Sequence, residues 1–211
     1  LPAAKAWIES ALLVVPVAEA LRAPRRCTSS YTGFHPPVCA AAEALRCGVS
    51  PDGGSAWGPE VPSSLLDELY VCHTCVAATW QSTCDPAQSN CETLPAGAGQ
   101  SGADALLFIS ASTANDECTG GTMAYASICS RDQYDRPVFG YANVCPSSLP
   151  TSGSISGEAR DELLDVLVHE FFHALGFSES SWALFRHDDG TPRTARGADG
   201  LPPVTANYNC P

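Results

Sequence analysis

Basic residues are scarce in this sequence. The 211 residues include 11 Lys and Arg against 23 Asp and Glu, which gives a formal net charge of −12. Proteins that bind nucleic acid need a surplus of Lys and Arg on one face, and adsorption to an anionic membrane needs the same surplus. We therefore predict neither nucleic acid nor an anionic membrane surface as a partner.

Long apolar runs are missing as well. No stretch approaches the roughly 18 consecutive apolar residues that span a bilayer, so the sequence predicts no transmembrane segment. Hydrophobic residues nevertheless make up 45% of the chain and charged residues only 16%, which supplies enough apolar material for a core. The length fits one domain. These features predict a soluble globular protein.

Cysteine, in contrast, is abundant and spread along the chain. Such scattered cysteines are typical of a disulfide framework formed in an oxidising compartment, which predicts an extracellular or cell-surface protein. The CxxC at Cys72 and Cys75 lacks a second CxxC, so disulfides are favoured over a zinc knuckle or a redox pair. The count is odd, and Cys210, one residue from the end, is the natural unpaired residue: either a free thiol or bonded to a cysteine outside this sequence. The eleven positions are Cys27, Cys39, Cys47, Cys72, Cys75, Cys84, Cys91, Cys118, Cys129, Cys145 and Cys210.

Hydrophobic patterns along the chain predict both helices and strands. Apolar residues from Ala6 to Val17 predict an amphipathic helix that is kinked or ended at Pro16. A second helix is predicted from Glu158 to Leu175, with acidic residues in its opening turns and Gly176 after its end. Apolar runs bounded by turn residues predict strands, and segments rich in turn residues predict irregular structure. The strands are expected at 105–111, 122–129 and 137–145, and the irregular segments at 27–60 and 85–103.

The second helix carries the motif His169-Glu170-Phe171-Phe172-His173. Histidines four residues apart lie on one face of a helix, so both imidazoles can reach one metal ion. Glu170 leaves the helix at a different angle and is placed to take a proton from a metal-bound water. The motif therefore predicts a zinc site with His169 and His173 as ligands and Glu170 as general base. The competing interpretation is a helix turn whose three polar residues are merely solvated.

A third zinc ligand is not evident. The extended pattern HExxHxxGxxH places a third His at position 179, which is Glu179 in this chain, although Gly176 is present. Glu179 and His187 are the nearby candidates, because a carboxylate or an imidazole is an acceptable ligand. His35 and His73 lie far away in sequence and are expected to be structural. The single methionine, Met123, precedes the helix, so the methionine turn of metzincins is also missing.

These residues resemble the leishmanolysin (invadolysin) family of zinc metallopeptidases, whose signature is HExxHALGFS. The resemblance continues upstream through CSRDQYDRPVFGYANVCPSSL and downstream through FRHDDGTP, so that it covers residues 123–192 most specifically. It implies an α+β, zincin-like and metzincin-like, disulfide-rich fold, in which a twisted mixed sheet packs on two long helices including the HExxH helix. It also implies that an antiparallel edge strand aligns the substrate, for which TMAYAS is the candidate.

The resemblance further implies what completes the site. In this family an insertion separates the helix from the third His, so a distal His and the methionine turn would lie beyond Pro211. The partner of Cys210 would lie there too, on the same chain or on a second one. Residues 1–211 would then be the N-terminal portion of a metallopeptidase catalytic domain. On that basis the distal His is preferred as third ligand to Glu179 or His187.

Two functional hypotheses follow. The first is a Zn²⁺-dependent endopeptidase that hydrolyses extracellular, cell-surface or cell-wall proteins. The second is a catalytically incomplete, metallopeptidase-like structural or cell-adhesion component of an extracellular assembly, which the incomplete ligand set and the odd cysteine favour. Retention of Glu170 together with both histidines favours the enzyme, because a structural component has no need of the general base.

Overall fold

The computed structural model describes residues 1–12, 14, 16–34, 37–47, 58–77, 84–85, 88–113, 117–149, 157–198 and 200–203. The helices of this part of the chain are α1 (Pro2–Ala11), α2 (Glu158–Ala174) and the single turn α3 (Glu179–Trp182). Its strands are β1 (Arg26–Tyr31), β2 (Val38–Glu43), β3 (Leu69–Thr74), β4 (Asn90–Leu94), β5 (Leu106–Ser110), β6 (Ala124–Arg131) and β7 (Pro137–Val144).

The seven described strands are divided between two mixed sheets. The first has the order β1-β2-β3-β4, with β2 and β3 parallel and the two outer pairs antiparallel. The second has the order β5-β7-β6, with β5 parallel and β6 antiparallel to β7. The α+β class is thus confirmed, although two sheets take the place of the single sheet expected. Helix α2 packs on β6 and β7, and α1 packs on α2.

Strand β7 is buried along nearly its whole length because both of its faces are covered. Side chains alternate across a strand, and here Phe139 and Tyr141 join one apolar cluster while Ala142 and Val144 join another. The second cluster also contains Ala4 and Ile8 of α1 and Leu167 and Phe171 of α2. Burial on both faces explains why PVFGYANVC is almost continuously apolar.

The predicted elements of the second half of the chain are observed with small shifts at their ends, whereas the first half differs from expectation. Residues 27–60 contain β1 and β2, and residues 85–103 contain β4, so neither segment is wholly irregular. Helix α1 ends at Ala11, five residues before Pro16. Leu12 is already extended, with ψ 127°, and Val17 donates its N–H to the Asp104 carboxylate instead of continuing a helix.

Five disulfides tie the described residues together, and they confirm the predicted framework. They join Cys27 to Cys39, Cys47 to Cys129, Cys72 to Cys91, Cys75 to Cys84 and Cys118 to Cys145. Cys210 lies outside the described residues. None of the helices in the described part of the chain has the length and apolar content needed to cross a membrane.

Candidate metal centre

Helix α2 presents its apolar residues to the sheet and its polar residues away from it. Leu167, Phe171 and Ala174 are buried, whereas His169 is exposed and Glu170 and His173 are partly buried. The helix advances 100° per residue, so His169 and His173 lie 40° apart, on one side of the helix. The sequence therefore brings the two imidazoles to one side of the helix, away from the buried face.

The two imidazoles face each other through their outer nitrogens. His169 Nε2 and His173 Nε2 are 2.9 Å apart, and the rings meet almost at right angles, with centroids separated by 4.5 Å. Two zinc-bound nitrogens lie about 3.3 Å apart, given bonds of about 2.05 Å and a tetrahedral angle. The observed pair needs only a few tenths of an ångström of adjustment to share one ion.

The end of α2 fixes the orientation of His173. Gly176 adopts a left-handed φ of 102°, which allows the helix to end in a Schellman motif with its two characteristic hydrogen bonds. The N–H of Gly176 donates to the His173 carbonyl at 3.1 Å, and the N–H of Phe177 donates to the Phe172 carbonyl at 3.0 Å. The rings of Phe172 and Phe177 then pack edge to face with centroids 5.1 Å apart.

This helix end places a main-chain carbonyl beside the His173 ring. His173 Nδ1 lies 2.9 Å from the Phe177 carbonyl oxygen. Since a carbonyl oxygen can only accept, Nδ1 carries the proton and Nε2 presents its lone pair toward His169. A hydrogen bond of this kind is the usual way in which a protein fixes the tautomer of a metal-binding histidine.

Glu170 is half-buried beside the two histidines. Burial raises the pKa of the Glu170 carboxyl above its ordinary value, because it disfavours the charged form, and the electrostatic effect of the neighbouring His173 and His169 partly opposes this rise. A carboxylate whose pKa is raised toward neutrality is a stronger base than an exposed one. Its environment therefore suits it to accept a proton.

The two nearby candidates for a third ligand do not join the pair. Glu179 is the exposed first residue of α3. His187 lies in a turn whose main chain is closed by bonds between His187 and both Gly190 and Thr191. Within the described ranges, neither residue nor any other His, Cys, Asp or Glu forms a three-ligand group with His169 and His173.

The remaining histidines and cysteines lie away from this site. His73 pairs with Glu92 across β3 and β4, Nε2 to Oε1 at 2.9 Å, and His35 lies outside the described residues. The sulfurs of Cys72, Cys84 and Cys91 lie within 4.8 Å of one another. All three are oxidised in disulfides, so they offer no thiolate to a metal.

Sequence patterns did not reveal the Phe177 carbonyl as part of this site. The signal that was available is Gly176, whose position after the helix predicts a left-handed residue and the bonds that follow from it. Side-chain patterns do not report where a main-chain carbonyl points, so the contact with His173 emerges only from the folded chain.

Comparison with known proteins identifies relatives of this chain. The profile of the leishmanolysin family matches residues 75–193. A leishmanolysin-like peptidase of Drosophila melanogaster is 33% identical over 204 residues, which cover 94% of this chain and 27% of that protein. Its counterpart in Caenorhabditis elegans is 31% identical over 207 residues, covering 96% and 28%. The mouse ciliated left-right organizer metallopeptidase is 34% identical over 93 residues, 44% of this chain and 13% of that protein.

The chain thus spans little more than a quarter of the length of its leishmanolysin-like relatives. No solved structure matches it. The profile match extends over more than half of the chain and includes the whole of α2. The protein belongs to the leishmanolysin family of metallopeptidases.

Proposed function

We propose that this chain carries the catalytic helix of a zinc-dependent endopeptidase. The observation that supports this most directly is the convergence of His169 Nε2 and His173 Nε2 at 2.9 Å, with the His173 tautomer fixed by the Phe177 carbonyl. Both nitrogens are imidazole donors of the kind zinc prefers. The histidines present therefore fit the ion as two of its ligands.

Each of the three residues has a defined task in this proposal. His169 and His173 hold the zinc, which, when bound, lowers the pKa of a water to about 7 and polarises the substrate carbonyl. Glu170 takes the proton from the attacking water and then passes it to the leaving amine. Its partial burial supports this role because it strengthens the base.

The substrate is proposed to bind as an extended chain along β6. This strand is antiparallel to β7 and lies at an edge of its sheet as far as the described residues extend. An exposed strand edge offers main-chain hydrogen bonds to any extended peptide, which favours cleavage within chains. We propose extracellular, cell-surface or cell-wall proteins as substrates, since five disulfides indicate an oxidising compartment.

The third zinc ligand is proposed to be a histidine beyond Pro211, on the same polypeptide or on a chain linked through Cys210. Residues 1–211 would then form the N-terminal portion of the catalytic domain. Support comes from the two-ligand set of the described residues and from the small share of each relative that the chain covers. A three-ligand protein set is the usual arrangement of catalytic zinc.

The same two-ligand set favours a second candidate, a metallopeptidase-like structural or adhesion component without catalysis. Substitution of Glu170 distinguishes the endopeptidase from the structural or adhesion component. In the full-length protein, Glu170→Gln should retain one zinc per molecule and lose at least about 100-fold in kcat/KM on a protein substrate such as casein. Zinc is measured by mass spectrometry of the metal.

The matched control is Glu162→Gln, on an exposed part of the same helix, which should leave both zinc content and hydrolysis unchanged. Full activity of Glu170→Gln would disprove its role as the base. A wild-type protein with neither zinc nor hydrolysis would establish the structural component instead.

A further inference from the structure

We propose that Asp135 is a positioning residue for His173, which it reaches through Arg186 and the two rings of Phe185 and Phe177. The inference rests on the proposed zinc function, because it concerns how one of the two histidines is held ready for the metal. It assigns a role to the turn between β6 and β7, which contains none of the residues of the HExxH motif.

Asp135 occupies a backbone conformation that few residues adopt. Its φ is 65°, and among the described residues it is the one non-glycine residue with positive φ. Asp132 holds the turn, since its carboxylate accepts from the N–H groups of Tyr134 at 2.8 Å and Arg136 at 3.0 Å. Left-handed backbone is costly for most side chains, and it persists where surrounding contacts impose it.

The Asp135 carboxylate lies between two guanidinium groups. Its Oδ2 accepts from Arg186 Nη2 at 2.8 Å and Nε at 3.2 Å, and from Arg196 Nη2 at 3.0 Å. The Asp135 side chain is 19% exposed and that of Arg196 only 12%. Partly buried charge-assisted bonds of this kind are strong, and loss of the carboxylate would leave two cations without their shared partner.

Arg186 connects the turn to the segment that follows α3. Besides Asp135, it donates to the Tyr134 carbonyl and to the Gly190 carbonyl, both at 2.8 Å. The N–H of Arg193 donates to the Phe185 carbonyl at 2.9 Å. The residue before Arg186, Phe185, is therefore held by main-chain bonding on one side and by the ion pairs on the other.

Phe185 transmits this restraint to the end of α2. Its ring meets the ring of Phe177 edge to face, with centroids 6.5 Å apart, and the Phe177 carbonyl is the acceptor for His173 Nδ1. A cavity of about 160 Å³ is bordered by Asp135, Gly176 and Phe185. Both rings are also exposed, Phe177 by 51% and Phe185 by 40%, so in this proposal the ion pairs, rather than a filled core, hold Phe185 against Phe177.

The test uses the full-length protein labelled with ¹⁵N at histidine, with Asp135→Asn as the main variant. Asn adopts positive φ at least as readily as Asp, so the backbone is retained while the charge is removed. In the metal-free wild type, ¹⁵N–¹H spectra should show His173 protonated at Nδ1. In the variant they should show a mixture of tautomers, and the affinity for Co²⁺ should fall about tenfold.

Two further variants make the outcome specific. Asp188→Asn removes an exposed carboxylate from the neighbouring turn and should leave both the tautomer and the Co²⁺ affinity unchanged. Phe185→Leu keeps most of the apolar volume and the groups that form the ion pairs but removes the ring contact, so it should shift both readouts in the same direction as Asp135→Asn. It tests the inference even if Asp135→Asn does not fold.

An unchanged His173 tautomer together with unchanged Co²⁺ affinity, in either Asp135→Asn or Phe185→Leu, would overturn the inference. Failure of the proposed function would look different, because the wild-type chain would then bind no Co²⁺. In that case the tautomer spectrum alone still decides whether Asp135 positions His173.

Discussion

Gly176 meets two requirements at a single position. Its φ of 102° lies in the left-handed region, and a Cβ added there would lie 3.0 Å from Pro137 Cγ. The first requirement is conformational and the second is steric, so an L side chain would be strained for two reasons. The hydrogen bonds around Gly176 also position the Phe177 carbonyl, which binds His173 Nδ1. Strain at Gly176 would therefore disturb the orientation of the His173 ring.

We expect Gly176→Ala to lower the free energy of unfolding by about 2–3 kcal/mol, since left-handed strain of roughly 1–2 kcal/mol adds to the close contact. Gly190→Ala is the matched control, because Gly190 also has positive φ, 82°, but has open space around its Cβ position. It should cost only about 1–2 kcal/mol. Urea unfolding measures both, and equal losses would contradict the steric part of the argument.

At the scale of elements, α2 approaches β7 closely through a glycine. A Cβ added at Gly140 would lie 2.7 Å from Leu107 Cδ2, 2.9 Å from Ala174 Cβ and 3.1 Å from the Ala174 carbonyl oxygen. Two of these contacts involve the last turn of α2, immediately after His173. The short distance between α2 and β7 therefore depends on the absence of a side chain at Gly140.

Gly140→Ala should push α2 away from β7 and lower the free energy of unfolding by about 1–3 kcal/mol, the usual cost of overpacking. Gly33→Ala, in the turn between β1 and β2 with nothing near its Cβ position, serves as the control and should change stability by less than about 0.5 kcal/mol. Thermal and urea unfolding of the two variants give the comparison. A Gly140→Ala variant as stable as wild type would show that α2 can move at no cost.

The elements also show where prediction from sequence succeeds. Helix α2 and strands β5, β6 and β7 are predictable because they are buried against each other, and burial imposes an apolar pattern. Strands β1 and β4, with the sequences RCTSSY and NCETL, are mostly exposed and polar. Each is held by pairing with the adjacent strand and by a disulfide to it, β1 to β2 and β4 to β3, and an apolar pattern predicts neither.

The candidate site, too, is predictable from sequence only in part. The proximity of His169 and His173 follows from helical spacing alone, which sequence supplies. The Phe177 carbonyl and the ion pairs of Asp135 depend on a main-chain direction and on contacts across more than 50 residues. Neither leaves a pattern in neighbouring residues. The roles of His169, Glu170 and His173 stay predictions until metal binding and hydrolysis are measured.

At the scale of the whole molecule, the disulfide between Cys47 and Cys129 joins the two halves of the fold. Cys47 follows β2 of the first sheet, whereas Cys129 lies in β6 of the second, 82 residues away. The other four disulfides span between 9 and 27 residues. A crosslink that closes a long loop restricts the unfolded chain most, so this one should contribute most to stability.

Replacement of both cysteines by alanine, Cys47→Ala with Cys129→Ala, should lower the free energy of unfolding by about 4–5 kcal/mol. The control pair, Cys75→Ala with Cys84→Ala, closes a loop of 9 residues and should cost about 2–3 kcal/mol. Unfolding without reductant measures both. A larger loss in the control would refute the assignment of the long loop as the main covalent restraint.

The cysteine count gives a separate prediction about covalent state. Ten of the eleven cysteines are paired, so the denatured, unreduced chain should react with one equivalent of a thiol reagent, or else release a second fragment on reduction. Intact mass before and after reduction separates these outcomes. Uptake of three or more equivalents would contradict the observed pairing.

The position of β7 has a consequence for how the molecule opens. Residues of this strand belong to both apolar clusters, so we expect the two clusters to open together. Amide protons of β7 should therefore exchange with solvent only through global unfolding, and those of exposed β1 through local fraying. Hydrogen exchange would then record one cooperative transition for the two clusters that share this strand.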